Sequence, residues 1–134
     1  MHANRIQRVI VALALIFAGG IIVRAGILDG TKLKVRAIPD KASADRGARE
    51  FNDELIFAND KCTSTNLLRK GFTPARYHAE AEPNEAEFEV ELVSATNGVA
   101  TWTGEIRGTN TLGGLVWSRK NGTNFVYEFT GTKE

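Results

Sequence analysis

Alternation of polar and apolar residues runs through most of the chain after residue 30, and it limits the fold more than any other feature. Residues 87–92 place a glutamate before each of Phe88, Val90 and Leu92. A side-chain period of two is typical of a strand with one buried face. No segment after residue 30 has ten residues with the period of a helix. The sequence therefore predicts an all-β domain.

Eight segments are predicted as strands: 32–37, 50–58, 61–66, 75–81, 87–92, 99–108, 112–118 and 123–132. The segment 67–71 is predicted as a helical turn or an irregular corner, and 40–49 as a loop that has room for one helical turn. Asn97 and Gly98 form the strongest hairpin signal, because both residues tolerate the positive φ of a type I′ turn, and Asn121 with Gly122 gives a second. Short links favour antiparallel neighbours, and eight such strands can close on themselves. We expect a single antiparallel up-and-down β-barrel of about eight strands, with a two-sheet β-sandwich as the alternative.

The first 25 residues have the pattern of an export signal or a membrane anchor. Arg5 and Arg8 precede an unbroken run of apolar residues and glycine at 9–23. This is the layout of a secretory signal, and small residues allow cleavage after Ala25. The same stretch can instead form an uncleaved apolar helix with Arg24 near its end. Either alternative exports residues 26–134 across the inner membrane. They are periplasmic or secreted after cleavage, and otherwise anchored by a single pass.

Charge and cysteine content limit the partners and the cross-links that the exported domain can have. Without its three leader arginines the chain has 14 basic and 16 acidic residues, which disfavours nucleic acid as a partner. Cys62 is the only cysteine, so no intramolecular disulfide is expected, and it is predicted as a half-buried hydrophobe. We expect the membrane to be contacted only through the N-terminal segment.

Glycines and aromatic residues recur in four segments of the C-terminal half: Trp102–Gly108, Gly113–Trp117, Asn121–Gly122 and Tyr127–Gly131. With these segments, the C-terminal half resembles that of small exported bacterial β-barrel proteins of lipocalin-like type, which are uncharacterised. Further similarity lies at 28–32 and 70–74. The resemblance covers residues 28–134 and implies a barrel fold in the cell envelope. It implies no catalytic residues.

Seven aromatic residues are the candidates for lining a ligand cavity, because an eight-stranded barrel is just wide enough to hold one small molecule. They are Phe57, Phe88, Trp102, Trp117, Phe125, Tyr127 and Phe129. The sequence shows no nucleophile elbow, phosphate loop or metal-ligand spacing, so we predict no catalytic residue, no metal and no cofactor. The chain is predicted to be a non-enzymatic binding module for a small apolar or amphipathic ligand. The alternative is a protein-interaction or inhibitor-type domain that acts on an envelope protein through its outer face.

Overall fold

The computed structural model describes residues 26–134, which form eight strands and two short helices. In chain order these are β1 (Lys32–Pro39), α1 (Lys41–Asp45), β2 (Phe51–Ala58), β3 (Lys61–Ser64), α2 (Thr65–Leu68), β4 (Ala75–Glu82), β5 (Glu85–Ser94), β6 (Gly98–Arg107), β7 (Asn110–Ser118) and β8 (Asn124–Lys133). The predicted leader and its apolar helix, residues 1–25, lie outside the described residues. Neither helix within 26–134 has the length and apolar character that a membrane crossing requires.

The strands form one closed barrel in which every strand pairs with its neighbour in sequence. The closing pair is β1 with β8, whose register runs from Leu33 opposite Lys133 to Pro39 opposite Tyr127. All eight pairings are antiparallel. The prediction of an eight-stranded up-and-down barrel is confirmed. The sandwich alternative is excluded because the first and last strands are hydrogen-bonded to each other.

The alternation in the sequence determines which side chains fill the barrel. In β1, Leu33, Val35 and Ala37 are buried, whereas the lysine and arginine side chains between them are exposed. The same alternation continues through β5, where Ala86, Phe88, Val90, Leu92 and Ser94 are buried. Each strand therefore gives one face to a shared core and the other to the outside.

The turn at Asn97 and Gly98 joins β5 to β6 as expected, but the type I′ conformation predicted for it is wrong. Only Gly98 has a positive φ, at 100°, and a three-residue loop connects Ser94 to its partner Gly98. Asn97 is held by its backbone N–H to Ser94 Oγ at 3.1 Å and by its side chain to the carbonyl of Lys70 at 2.7 Å. Two consecutive positive φ values instead occur at Asn59–Asp60, between β2 and β3.

Strand β3 ends two residues before its predicted end. The predicted segment was 61–66, whereas the chain leaves the sheet after Ser64 and begins α2 at Thr65, before the predicted helical turn at 67–71. The cause is Asp53 on β2, whose Oδ1 accepts the backbone N–H of Asn66 at 2.8 Å. A carboxylate at this position accepts an N–H of the first helical turn, which has no acceptor within the helix. If residue 66 were in a strand, the same N–H would donate to a neighbouring strand.

Candidate interaction surface

The seven predicted cavity residues all project into the barrel. Phe57, Phe88, Trp102 and Phe129 are completely or almost completely buried, Tyr127 and Phe125 are buried, and Trp117 is half-buried at the rim. The sequence therefore identified residues that share the interior.

These aromatic rings contact one another in the barrel centre. The ring centroid of Phe88 lies 5.3 Å from that of Phe57 and 6.4 Å from that of Phe129. Phe129 in turn lies 5.4 Å from Trp102, in an edge-to-face arrangement. Such contacts stabilise aromatic pairs beyond the area they bury. Phe51 and Tyr77, which the sequence did not single out, extend this network at its two ends.

Two inward-facing glycines provide the space for these rings. Gly104 on β6 and Gly113 on β7 lie directly opposite each other. A Cβ atom at Gly104 would lie 2.7 Å from ring carbons of both Phe88 and Phe129. The structure assigns them a packing role, since the rings occupy the volume that their side chains would need.

One end of the barrel is closed by the turn at residues 26–31. Leu28 is buried there, and its backbone N–H donates to the hydroxyl oxygen of Tyr77 at 2.9 Å. The Tyr77 hydroxyl donates in turn to Asp29 Oδ1 at 2.8 Å. Burial and this carboxylate raise the pKa of Tyr77, so the hydroxyl keeps the proton that it donates. The turn is therefore fixed to the barrel through a buried polar contact.

The opposite end is closed by a second aromatic group. The Trp117 ring lies 5.7 Å from Phe72 and 6.0 Å from Phe125, both in edge-to-face contact. Its indole N–H donates to the carbonyl of Asn97 at 2.6 Å. The guanidinium of Arg119 covers the Phe125 ring at 4.4 Å. Phe72 was not among the predicted cavity residues, and its position on a loop gave no periodic signal.

Asp53, Ser64 and Cys62 form a buried polar group beside the core. Ser64 Oγ donates a hydrogen bond to Asp53 Oδ2, and the N–H groups of Glu54 and Asn66 donate to Oδ1. Burial raises the pKa of Asp53 against these hydrogen bonds. Burial and the nearby carboxyl also raise the pKa of Cys62, which is fully rather than half buried. A thiol that keeps its proton is a poor nucleophile, so the group serves packing and helix capping.

The depressions on the outside of the barrel include one of about 520 Å³ beside α1 and two that each cross three strands. The first of these two, of about 530 Å³, crosses β8, β1 and β2 and is lined by Lys34 and Arg69 among others. The second, of about 440 Å³, crosses β1, β8 and β7 and includes Val126. Outward-facing side chains line both, and both also border buried residues of the inner face, Asp53 in the first and Phe129 in the second.

The contact between β3 and β4 is the weakest in the barrel. It contains only two residue pairs, Lys61 with Arg76 and Cys62 with Ala75, whereas the other seven contacts contain four to ten. Beyond Arg76, β4 continues to Glu82, and its last four residues, 79–82, extend past the turn that joins β2 to β3. On that side this segment pairs with no strand of the described chain. We call it the open edge of β4.

Acidic side chains cover the outer face beside this edge. Glu80 lies opposite Glu87, and Glu82 lies opposite Glu85, so that like charges face each other across two strands. Glu85 is compensated by Arg107, whose guanidinium lies 3.4 Å away. Facing like charges destabilise a sheet unless a cation approaches them. The sequence showed the six acids of 80–91 but not that β4 ends in an open edge.

Comparisons with known proteins give no relative for this chain. No protein-family model, no curated protein and no solved structure matches it. Within residues 26–134, no group of three or more histidine, cysteine, aspartate or glutamate side chains is arranged to hold a metal ion.

Proposed function

We propose that residues 26–134 form a non-enzymatic interaction domain of the cell envelope, which binds another protein through the outside of its barrel. The observation that carries this proposal is the packing of the interior. Four of the seven residues that could have lined a ligand cavity, Phe57, Phe88, Trp102 and Phe129, contact one another in series. The rings of Phe88 and Phe129 fill the space that a side chain at Gly104 would need. A barrel filled in this way offers its outer surface for recognition.

The chemistry of the buried polar residues supports a non-enzymatic role. Asp53 is held by three hydrogen bonds within the fold, and Cys62 is a protonated, inaccessible thiol. Tyr77 holds the N-terminal turn. Each of these perturbed groups thus has a structural partner, and Asp53, which borders the depression across β8, β1 and β2, is itself buried. The export predicted from the sequence of residues 1–25 supports a partner outside the cytoplasm.

A second candidate function is the binding of a small apolar or amphipathic molecule inside the barrel. One observation favours it. The indole Nε1 of Trp102 is buried and has no hydrogen-bond partner among the described residues. A buried N–H without a partner is costly, and a polar atom of a ligand would satisfy it.

Site-specific photo-cross-linking in the protein's own host separates the two functions. A photoreactive phenylalanine analogue is placed at Glu54, Glu82 or Val126, which face outward from β2, β4 and β8. We expect one position to give a protein adduct of a single mass while the others stay unmodified, because a specific partner covers one side of the barrel. Samples without irradiation are the control.

Native mass spectrometry on the protein purified from the exported fraction of its host tests the second candidate function. A small molecule that is released on unfolding, together with no adduct at any of the three positions, would contradict the interaction domain and favour the second candidate. An unliganded mass together with a position-dependent adduct supports the proposal.

A further inference from the structure

We propose that the open edge of β4, residues 79–82, binds an extended basic segment of the partner protein as an added strand. This inference rests on the proposed interaction function and names the surface and the chemistry of the partner. Closed barrels normally leave no strand edge unpaired. Here the pairing of β3 with β4 ends at Arg76, and β4 continues for six more residues.

The hairpin register identifies the backbone groups that face the open edge. Glu82 and Glu85 flank a two-residue turn, Pro83–Asn84, and are opposite each other. In such a hairpin the flanking pair exchanges both of its hydrogen bonds, and the pattern alternates along the strand. Glu80 and Glu82 therefore bond to β5, whereas the N–H and C=O groups of Ala79 and Ala81 point away from it. These groups form the hydrogen-bonding row that an added strand would use.

The neighbouring side chains determine which strand fits. On the outer face, Glu80 and Glu82 each stand opposite another glutamate of β5. A strand added at the edge would lie about 4.8 Å from β4, so its outward side chains would adjoin these carboxylates. Basic residues at alternate positions would pair with the carboxylates of Glu80 and Glu82.

On the inner face, the added strand should carry apolar residues between its basic ones. Ala79 is buried and Ala81 is exposed at the end of the hairpin. Their small side chains leave room for larger apolar groups from the added strand. The segment that fits is thus extended and alternates basic with apolar residues. It is a peptide segment and not a nucleic acid, because the acidic face would repel a phosphate backbone.

A synthetic peptide tests this proposal with the full-length chain in a neutral detergent. The probe is Lys-Leu-Lys-Val-Arg-Ala, which has the required alternation and is blocked at both ends. We expect binding to shift the amide NMR signals of Ala79 and Ala81 and to slow their hydrogen exchange at least tenfold. Raising the salt concentration should weaken binding, because the side-chain contacts are ionic. A peptide with glutamate at the three basic positions should not bind.

Two perturbations of the backbone separate strand addition from simple charge attraction. Ala81→Pro removes one edge donor and leaves the bonds of β4 to β5, so it should weaken binding at least tenfold. Ala81→Ser keeps the N–H and should bind within twofold of the wild type. A probe N-methylated at alternate residues keeps its charge and should fail to bind the unaltered chain. This last measurement decides the question even if Ala81→Pro does not fold.

Binding that persists with the N-methylated probe, or that leaves the exchange of Ala79 and Ala81 unchanged, would overturn strand addition. Absence of binding by the unmodified probe would overturn it as well. None of these results affects the cross-linking outcome. Failure of the mode of recognition is therefore distinct from failure of the interaction function, which would appear as no adduct at any outer position.

Discussion

Substituting alanine for Gly104 should destabilise the barrel through a clash with two rings. The added Cβ would lie 2.7 Å from ring carbons of Phe88 and Phe129. Carbon atoms in optimal contact are about 3.5–4.0 Å apart, so each contact would be about 1 Å too short. Both rings are buried and are held by neighbouring aromatic rings, so neither can move away freely.

The size of the effect follows from two opposing contributions. Overpacking of a well-packed core costs about 1–3 kcal/mol. Replacing glycine by alanine restricts the unfolded chain and returns about 0.4–1 kcal/mol. We therefore expect Gly104→Ala to lower the free energy of unfolding by about 1–2 kcal/mol. At about 2.1 cal/mol/K per residue, a domain of about 110 residues would lose roughly 4–9 °C in Tm.

Unfolding by urea, monitored through tryptophan fluorescence, measures this loss of stability. The control is the same substitution in a variant that already lacks one of the two rings. Phe129→Leu removes part of one clashing ring, so Gly104→Ala should cost less in that background by about 1 kcal/mol or more. Equal costs in both backgrounds would refute the packing argument. So would a Gly104→Ala protein that is as stable as the wild type.

Three further predictions concern polar groups. Tyr77→Phe leaves the buried N–H of Leu28 without its acceptor, so it should lower the free energy of unfolding by about 1–3 kcal/mol and speed hydrogen exchange at Leu28. Tyr127→Phe is the control and should cost clearly less, because it removes a hydroxyl with no hydrogen bond to the described residues. Equal losses of stability in the two variants would contradict the role of the Tyr77 contact. Burial raises the pKa of Asp53 above 3.8, so the folded state holds a proton that the unfolded state releases. The contribution of Asp53 to stability therefore falls as pH rises from 3.8 through the raised pKa. Asp53→Asn should remove that contribution, so that urea titrations at several pH values show the wild type losing stability relative to the variant as pH rises; a constant difference would refute it. Cys62 should react with a thiol reagent only after unfolding, because it is fully buried and its pKa is raised, and rapid labelling of the native protein would contradict this.

The strands could be predicted from sequence because their signal is local. The alternation of β5 and the position of the turn that follows it are determined by neighbours in the chain, and the structure confirms both, although the conformation of the turn differs. The end of β3 could not be predicted in this way. It depends on Asp53, which reaches Asn66 from another strand and starts a helix there.

The candidate site shows the same division. Parity shows which aromatic residues of a strand share a face, but not which face is the interior, because a shift of the register by one residue exchanges the faces. Whether the interior is filled depends in turn on which residues lie opposite one another. Gly104 and Gly113 meet only through the register of β6 with β7. The open edge of β4 depends on where β3 stops, which no local pattern near Ala81 records.

The pairing of β1 with β8 has a consequence for when the protein can fold. Seven residue pairs join the first strand of the barrel to the last. Because a chain is synthesised from its N-terminus, one side of β1 stays unpaired until β8 has been made. During that interval β1 presents an alternating basic and apolar segment that other chains could pair with. The like charges on the exposed face of β1 disfavour pairing between the first strands of two incomplete chains.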